Sequence, residues 1–104
     1  MQPEVSVAKE ALRTFIIKFN DKAVFKDDNV HCPDIMRTPN VRRYITTTDD
    51  IYKLSTYTDV VNLLKICYLE FIKATPEKKD SHVFRYITEV YKEMLALMSL
   101  ESSL

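Results

Sequence analysis

Glycine is missing from this chain of 104 residues. Average usage of roughly 7% would place about seven glycines in a chain of this length. Glycine permits positive φ angles and lets a backbone approach a phosphate closely, so its absence excludes Walker-type loops, dinucleotide-binding turns and glycine-rich kinase loops. Tight hairpins built on Asn-Gly or Asp-Gly are disfavoured for the same reason. We therefore expect no nucleotide partner and no nucleotide-derived cofactor.

Long apolar runs and paired cysteines are scarce as well. No stretch approaches the roughly 18 apolar residues of a membrane span, and Glu4, Lys9 and Glu10 interrupt the region where a secretory signal would be apolar. The only cysteines, Cys32 and Cys67, are too few for the disulfide framework of a small secreted domain. The expected setting is intracellular, either cytoplasmic or nuclear, with no membrane partner.

Charge of one sign is not in excess, because 15 basic residues balance 15 acidic ones. This balance argues against a large surface for binding polyanions, although it allows a local one. It also removes long-range repulsion between copies, so a homodimer is compatible with the composition. The hydrophobic content of 46% predicts an ordinary core for one domain of this size.

Helical spacing of apolar residues predicts helix 1 over residues 3–20. Steps of three and four residues join Val5, Ala8, Leu12, Phe15 and Phe19. Such a repeat is typical of an amphipathic helix, and the proline at position 3 suits a first helical turn.

Residues 21–48 lack that periodicity. Pro33 and Pro39 both fall in this stretch, and each biases the residue before it away from helix. The pattern predicts a long extended connection between helices 1 and 2, with room for two short β-strands.

Helix 2 is predicted over residues 49–75, with a possible break near residue 55. Threonines and aspartates at 46–50 offer capping oxygens, and Thr56 with Asp59 resembles a capping box. From Tyr57 to Ile72 the sequence is apolar on most of the helix circumference, which is typical of a helix packed on several sides. We therefore expect this helix to be the central one.

Helix 3 is predicted over residues 81–100, capped by Asp80 or Ser81 and followed by a frayed tail at 101–104. Its short connection to helix 2 favours an antiparallel pair of helices. The predicted fold class is thus mostly α, with three main helices in a small bundle forming a single domain over residues 1–104.

Four residues carry side chains that could ligate a metal or act as a nucleophile: His31, Cys32, Cys67 and His82. Structural zinc sites use paired ligands at short spacing, and only one adjacent pair is present. An enzyme using Cys32 as its nucleophile would need a base, but adjacent residues of an extended segment point to opposite sides, which places His31 poorly. We assign no catalytic residue, metal ligand or cofactor and predict a protein that is not an enzyme.

The segment from Ile35 to Thr46 is the predicted binding segment. It contains Arg37, Arg42, Arg43 and Tyr44 without any acidic residue. Arginine and tyrosine are over-represented at the hot spots of protein interfaces, which favours an adaptor or scaffold subunit with a protein partner, in the simplest case a second copy. The alternative is a small nucleic-acid-associated protein, with arginine on phosphate and tyrosine stacked on a base. In the plainest interpretation the arginines only pair with surface carboxylates, such as those of Asp27, Asp28 or glutamates.

Overall fold

Three long helices pack together in this protein, as a computed structural model of residues 3–26, 31–73 and 81–103 shows. The α-helices are α1 (Pro3–Phe19), α2 (Lys22–Lys26), α3 (Pro39–Arg42), α4 (Tyr57–Lys73) and α5 (His82–Ser103). Short 3-10 helices span Ile35–Arg37 and Thr48–Lys53. The long helices α1, α4 and α5 confirm the predicted three main helices.

Helix α1 is the most enclosed of the three. It contacts both α4 and α5 more extensively than these contact each other. The ring of Phe15 lies at the centre, with centroid distances of 5.0 Å to Phe19, 5.6 Å to Phe71 and 6.3 Å to Tyr91. The expectation that α4 is the central helix is therefore corrected, because the apolar surface of α4 exceeds what its neighbours cover.

The long helices also meet through ring contacts and through a polar pair. Tyr68 of α4 stacks on Tyr91 of α5 with a centroid separation of 4.0 Å, and its hydroxyl is 3.1 Å from that of Thr88. Phe19 of α1 meets Tyr86 of α5 edge to face at 5.4 Å. Since Phe15 reaches residue 91 and Phe19 reaches residue 86, α1 and α5 run antiparallel.

The connection between α1 and α4 contains short helices instead of the extended chain predicted for residues 21–48. None of its described residues, 21–26 and 31–48, forms a β-strand, so the two suggested strands are corrected. Pro39 is the reason for part of the error, because it occupies the first turn of α3, where a missing N–H costs nothing. Thr38 before it is extended (φ −74°, ψ 141°), which satisfies the restriction that proline imposes.

Side-chain caps fix where the later helices begin. Residues 54–56 separate the 3-10 helix that ends at Lys53 from α4, so the helical conformation is interrupted near residue 55, as predicted. The hydroxyl of Thr56 accepts a hydrogen bond from the N–H of Asp59 at 3.1 Å. The hydroxyl of Ser81 accepts from the N–H of Phe84 at 3.3 Å. Helix α5 continues to Ser103, beyond the predicted end at residue 100, and residues 74–80 lie outside the described part of the chain.

None of the described helices combines the length and the apolarity that crossing a membrane would require.

Candidate partner-binding surface

The predicted binding segment is held firmly on the helical core. Ile35, Val41 and Ile45 are fully or almost fully buried, and both α3 and the 3-10 helix before it contact α4. Val41 and Ile45 are four residues apart and therefore lie on the same side of the turn. This anchoring leaves the remaining side chains of the turn facing solvent.

All four predicted binding residues are exposed. Arg42, Arg43 and Tyr44 follow one another at the end of α3, and Arg37 lies in the preceding 3-10 helix. Tyr44 is 38% exposed. The structure thus presents the four on one anchored segment, although no described hydrogen bond or ring contact joins them to each other.

The arginines differ in their charge partners. Arg37 Nε lies 3.2 Å from the Asp34 carboxylate, and since both side chains are largely exposed this pair contributes little to stability. No carboxylate among the described residues forms an ion pair with Arg42 or Arg43. The carboxylates of residues 27 and 28, which sequence reasoning offered as partners, lie outside the described residues. Within the described chain the charges of Arg42 and Arg43 are available to a ligand.

A carboxylate on α4 forms a hydrogen bond that connects α3 to this long helix. Glu70 Oε1 accepts hydrogen bonds from Asn40 Nδ2 at 3.1 Å and from Lys73 Nζ at 3.0 Å. Partial burial opposes ionisation of Glu70, but the hydrogen bonds from Lys73 and Asn40 together outweigh it and lower the pKa of the carboxyl. Glu70 therefore remains charged and joins the short helix to the long one.

A mainly apolar groove of about 380 Å³ lies beside this junction. Its lining consists of Asn40, Ile66, Leu69, Glu70, Ile72 and Lys73. Leu69 is 48% exposed, and Ile66 and Ile72 are half-buried. The sequence did not single out these residues, because a helix apolar on most of its circumference was expected to be packed on several sides. The sequence feature that could have indicated them is the large number of aliphatic residues around α4, more than the other helices of the chain cover.

Lys73 lines the groove, and helical spacing places two further basic residues near it. Lys65, Leu69 and Lys73 are spaced four residues apart and therefore share one face of α4. Arg43 follows Asn40 by three residues in continuous helical backbone, so it lies on the groove side of α3, whereas Arg42 lies on the other side. We call Arg43, Lys65, Ile66, Leu69, Ile72 and Lys73 the α3–α4 face.

Cys32 occupies a different position, at the end of α1. Its Sγ lies 3.6 Å from the carbonyl oxygen of Asn20 and 3.8 Å from that of Phe19, so the thiol can donate to the free carbonyls of the helix end. Burial raises the pKa of Cys32, with Lys22 acting in the opposite direction. A thiolate is disfavoured beside these carbonyls at the negative end of the helix dipole, so this geometry suits a structural cysteine better than a nucleophile.

The remaining chemically active side chains form no cluster. Cys67 is fully buried in α4, and burial raises the pKa of its thiol to about 12. Within residues 3–26, 31–73 and 81–103, no three His, Cys, Asp or Glu side chains come together in a way that could hold a metal ion. His31 lines an open depression of about 420 Å³ together with Cys32 and two lysines of α2.

Comparison with known proteins yields no match. No protein-family model matches the chain, and no curated protein or solved structure is significantly similar to it. The functional proposal therefore depends on the chemistry of the α3–α4 face.

Proposed function

We propose that this chain is a non-enzymatic adaptor or scaffold subunit of an intracellular complex and that it binds a partner protein through the α3–α4 face. The supporting observation is a mainly apolar groove lined by Ile66, Leu69 and Ile72, with Lys73 in its lining and two further basic residues on the neighbouring turns. An apolar centre within a polar rim is the usual anatomy of a protein interface. The other predicted binding residues, Arg37, Arg42 and Tyr44, lie on the same anchored segment but outside the α3–α4 face.

The groove supports this proposal better than the other exposed apolar side chains do. Single exposed aliphatic residues are normal on soluble proteins, and Val7, Ile17 and Leu97 are such cases on α1 and α5. Leu69 differs because Ile66 and Ile72 line the same depression. Covering the exposed half of one leucine contributes only about 1 kcal/mol, so a stable complex requires a partner that also covers its neighbours and the rim.

A partner other than a second copy suits this face. In a two-fold symmetric dimer the same patch meets itself, and the basic rims would then lie opposite each other. Like charges brought together across an interface oppose association. The homodimer therefore remains an alternative, in which contacts outside the basic rims would have to offset this repulsion.

Nucleic acid is the second candidate, favoured by the unneutralised guanidinium groups of Arg42 and Arg43 next to the exposed ring of Tyr44. It predicts binding that weakens steeply with salt through counterion release. We place this candidate second because a phosphate backbone offers no apolar group that could fill the groove.

Photo-crosslinking in the native cell tests the proposal. A photoreactive amino acid replaces Leu69 in one variant and Ile17 in the control, which is aliphatic, helical and exposed to almost the same degree, 46% against 48%. We expect protein adducts from position 69 that position 17 does not give. Adducts with nucleic acid would favour the second candidate, and adducts with the chain itself would favour the homodimer. Equal labelling from both positions would contradict the proposed surface.

A further inference from the structure

We infer that the α3–α4 face takes an acidic amphipathic helix of its partner, with apolar side chains in the groove and carboxylates against Arg43, Lys65 and Lys73. This inference rests on the proposed function, because it names the chemistry of the partner that the same surface would bind.

The charge of the face is positive although the whole chain is neutral. Glu70 is the acidic residue in the groove, and Asn40 and Lys73 already occupy one of its oxygens. Lys73 is itself 67% exposed and retains donors for a further acceptor. With Glu70 offsetting Lys73, Arg43 and Lys65 remain as two cations without ion-pair partners among the described residues. Complementary potentials favour a partner that brings carboxylates.

The apolar part of the face has the form of a helix ridge. Ile66, Leu69 and Ile72 follow each other at intervals of three residues along α4, over a rise of about 9 Å. Rows with this spacing are the ridges that fit between the side chains of a second helix. The groove beside the ridge, bounded by α3, can receive apolar side chains of that helix at i, i+3 or i+4 spacing.

Other modes of peptide recognition fit less well. Addition of a strand requires an exposed sheet edge, and the described part of the chain contains no strand. Grooves that bind polyproline helices are lined by aromatic side chains, whereas the described lining of this groove combines three aliphatic residues with three polar ones and includes no aromatic residue. The docking of a helix in a groove is the mode that uses both the ridge and the cations.

Selection from a display library of random 16-residue peptides tests the inference on the intact chain. Binders are sorted by whether Leu69→Ala abolishes their binding while the matched Ile17→Ala leaves it unchanged. We expect binders of the α3–α4 face to be acidic, with apolar residues at helical spacing. Synthetic copies should bind roughly fivefold more weakly to Arg43→Glu and less than twofold more weakly to Arg42→Glu, which alters the charge on the other side of α3.

The possible results separate the two proposals. Binders that need Leu69 but are neutral or basic, or that bind equally to the Arg43→Glu and Arg42→Glu variants, would overturn the acidic helix and leave the proposed surface intact. A selection that gives no binders, or only binders unaffected by Leu69→Ala, would overturn both. Acidic binders that depend on Leu69 and on Arg43, and that become helical in the complex by circular dichroism, are the result that we expect.

Discussion

Replacing Phe15 should destabilise this protein more than any change on its surface, because the ring joins α1 to both other long helices. It is fully buried and lies within 5.0–6.3 Å of the rings of Phe19, Phe71 and Tyr91. Phe15→Ala removes these contacts and leaves a cavity, at a cost of about 3–5 kcal/mol. Since domains of this size are stable by only about 5–15 kcal/mol, this variant approaches the unfolded state.

Phe15→Leu provides a measurable version of the same change. Leucine keeps most of the apolar volume but loses three ring pairs, each contributing about 0.5–1.5 kcal/mol beyond area burial, so we expect a net loss of about 2 kcal/mol. The melting temperature should fall by roughly 8–16 °C.

Urea unfolding followed by circular dichroism measures the loss as a shift of the midpoint at constant slope. The control is Ile17→Ala on the exposed side of the same helix, 46% exposed, which should cost less than about 0.5 kcal/mol. Leu64→Ala in the buried row of α4 should cost roughly 2–5 kcal/mol and marks the scale of a core change. A cost for Phe15→Leu no greater than that of the Ile17 control would refute the central position of α1.

Three further changes test other contacts. Asn40→Ala removes one hydrogen bond to the carboxylate of α4, so backbone amides at 40–43 should exchange hydrogen roughly fivefold faster, as mass spectrometry can measure. Hydrogen bonds from residues 46 and 47 and from Lys53 lower the pKa of Asp50 below its ordinary 3.8. The charged carboxylate therefore stabilises the fold above about pH 4, and this contribution is lost as the pH falls further. In the Asp50→Asn variant the free energy of unfolding should decrease less steeply with falling pH. In the folded protein, the alkylation rate of Cys32 should rise at a higher pH than that of a free thiol, because its pKa is raised. Cys67 should be alkylated only after unfolding.

Each of these has a contradicting outcome. Unchanged exchange in the Asn40→Ala variant would mean that the junction with α4 does not hold α3. If the free energy of unfolding of Asp50→Asn falls with decreasing pH as steeply as that of the unmodified protein, the hydrogen bonds around this carboxylate add nothing to stability. Rapid alkylation of Cys32 below the pH range of an ordinary thiol would revive the nucleophile hypothesis.

The long helices could be predicted because their signals are long. The three-four repeat from Val5 to Phe19 covers more than four turns, and it correctly predicted α1. Caps at Thr56 and Ser81 were also predicted, since a hydroxyl just before an apolar run is a local feature that tertiary packing rarely overrides.

The connection was predicted less well because its helices are short. A helix of four or five residues, such as α2 or α3, has too few residues to show a period. Pro39 does keep the residue before it out of a helix, but it also begins α3, which the sequence analysis did not predict. The arginines of that segment were found from composition alone. Their place beside α4 depends on Asn40 and Glu70, which lie 30 residues apart in the chain.

The position of the apolar groove could not be predicted from the sequence. A helix that is apolar on most of its circumference indicates contact on several sides, but the pattern does not say which sides the same chain supplies. Packing of α4 against α1, α3 and α5 left Leu69 exposed. That residue was treated as core in the sequence and becomes the centre of the proposed surface.

Quantitative mass spectrometry of the proteins that co-purify with three versions of the chain from the native cell tests the central claim most directly. The versions are the unmodified chain, Leu69→Glu and Ile17→Glu, each first shown to be folded by circular dichroism. We predict at least one protein that is retained by the unmodified chain and by Ile17→Glu and is lost from Leu69→Glu. Identical sets of proteins from all three versions would contradict the α3–α4 face as the binding surface.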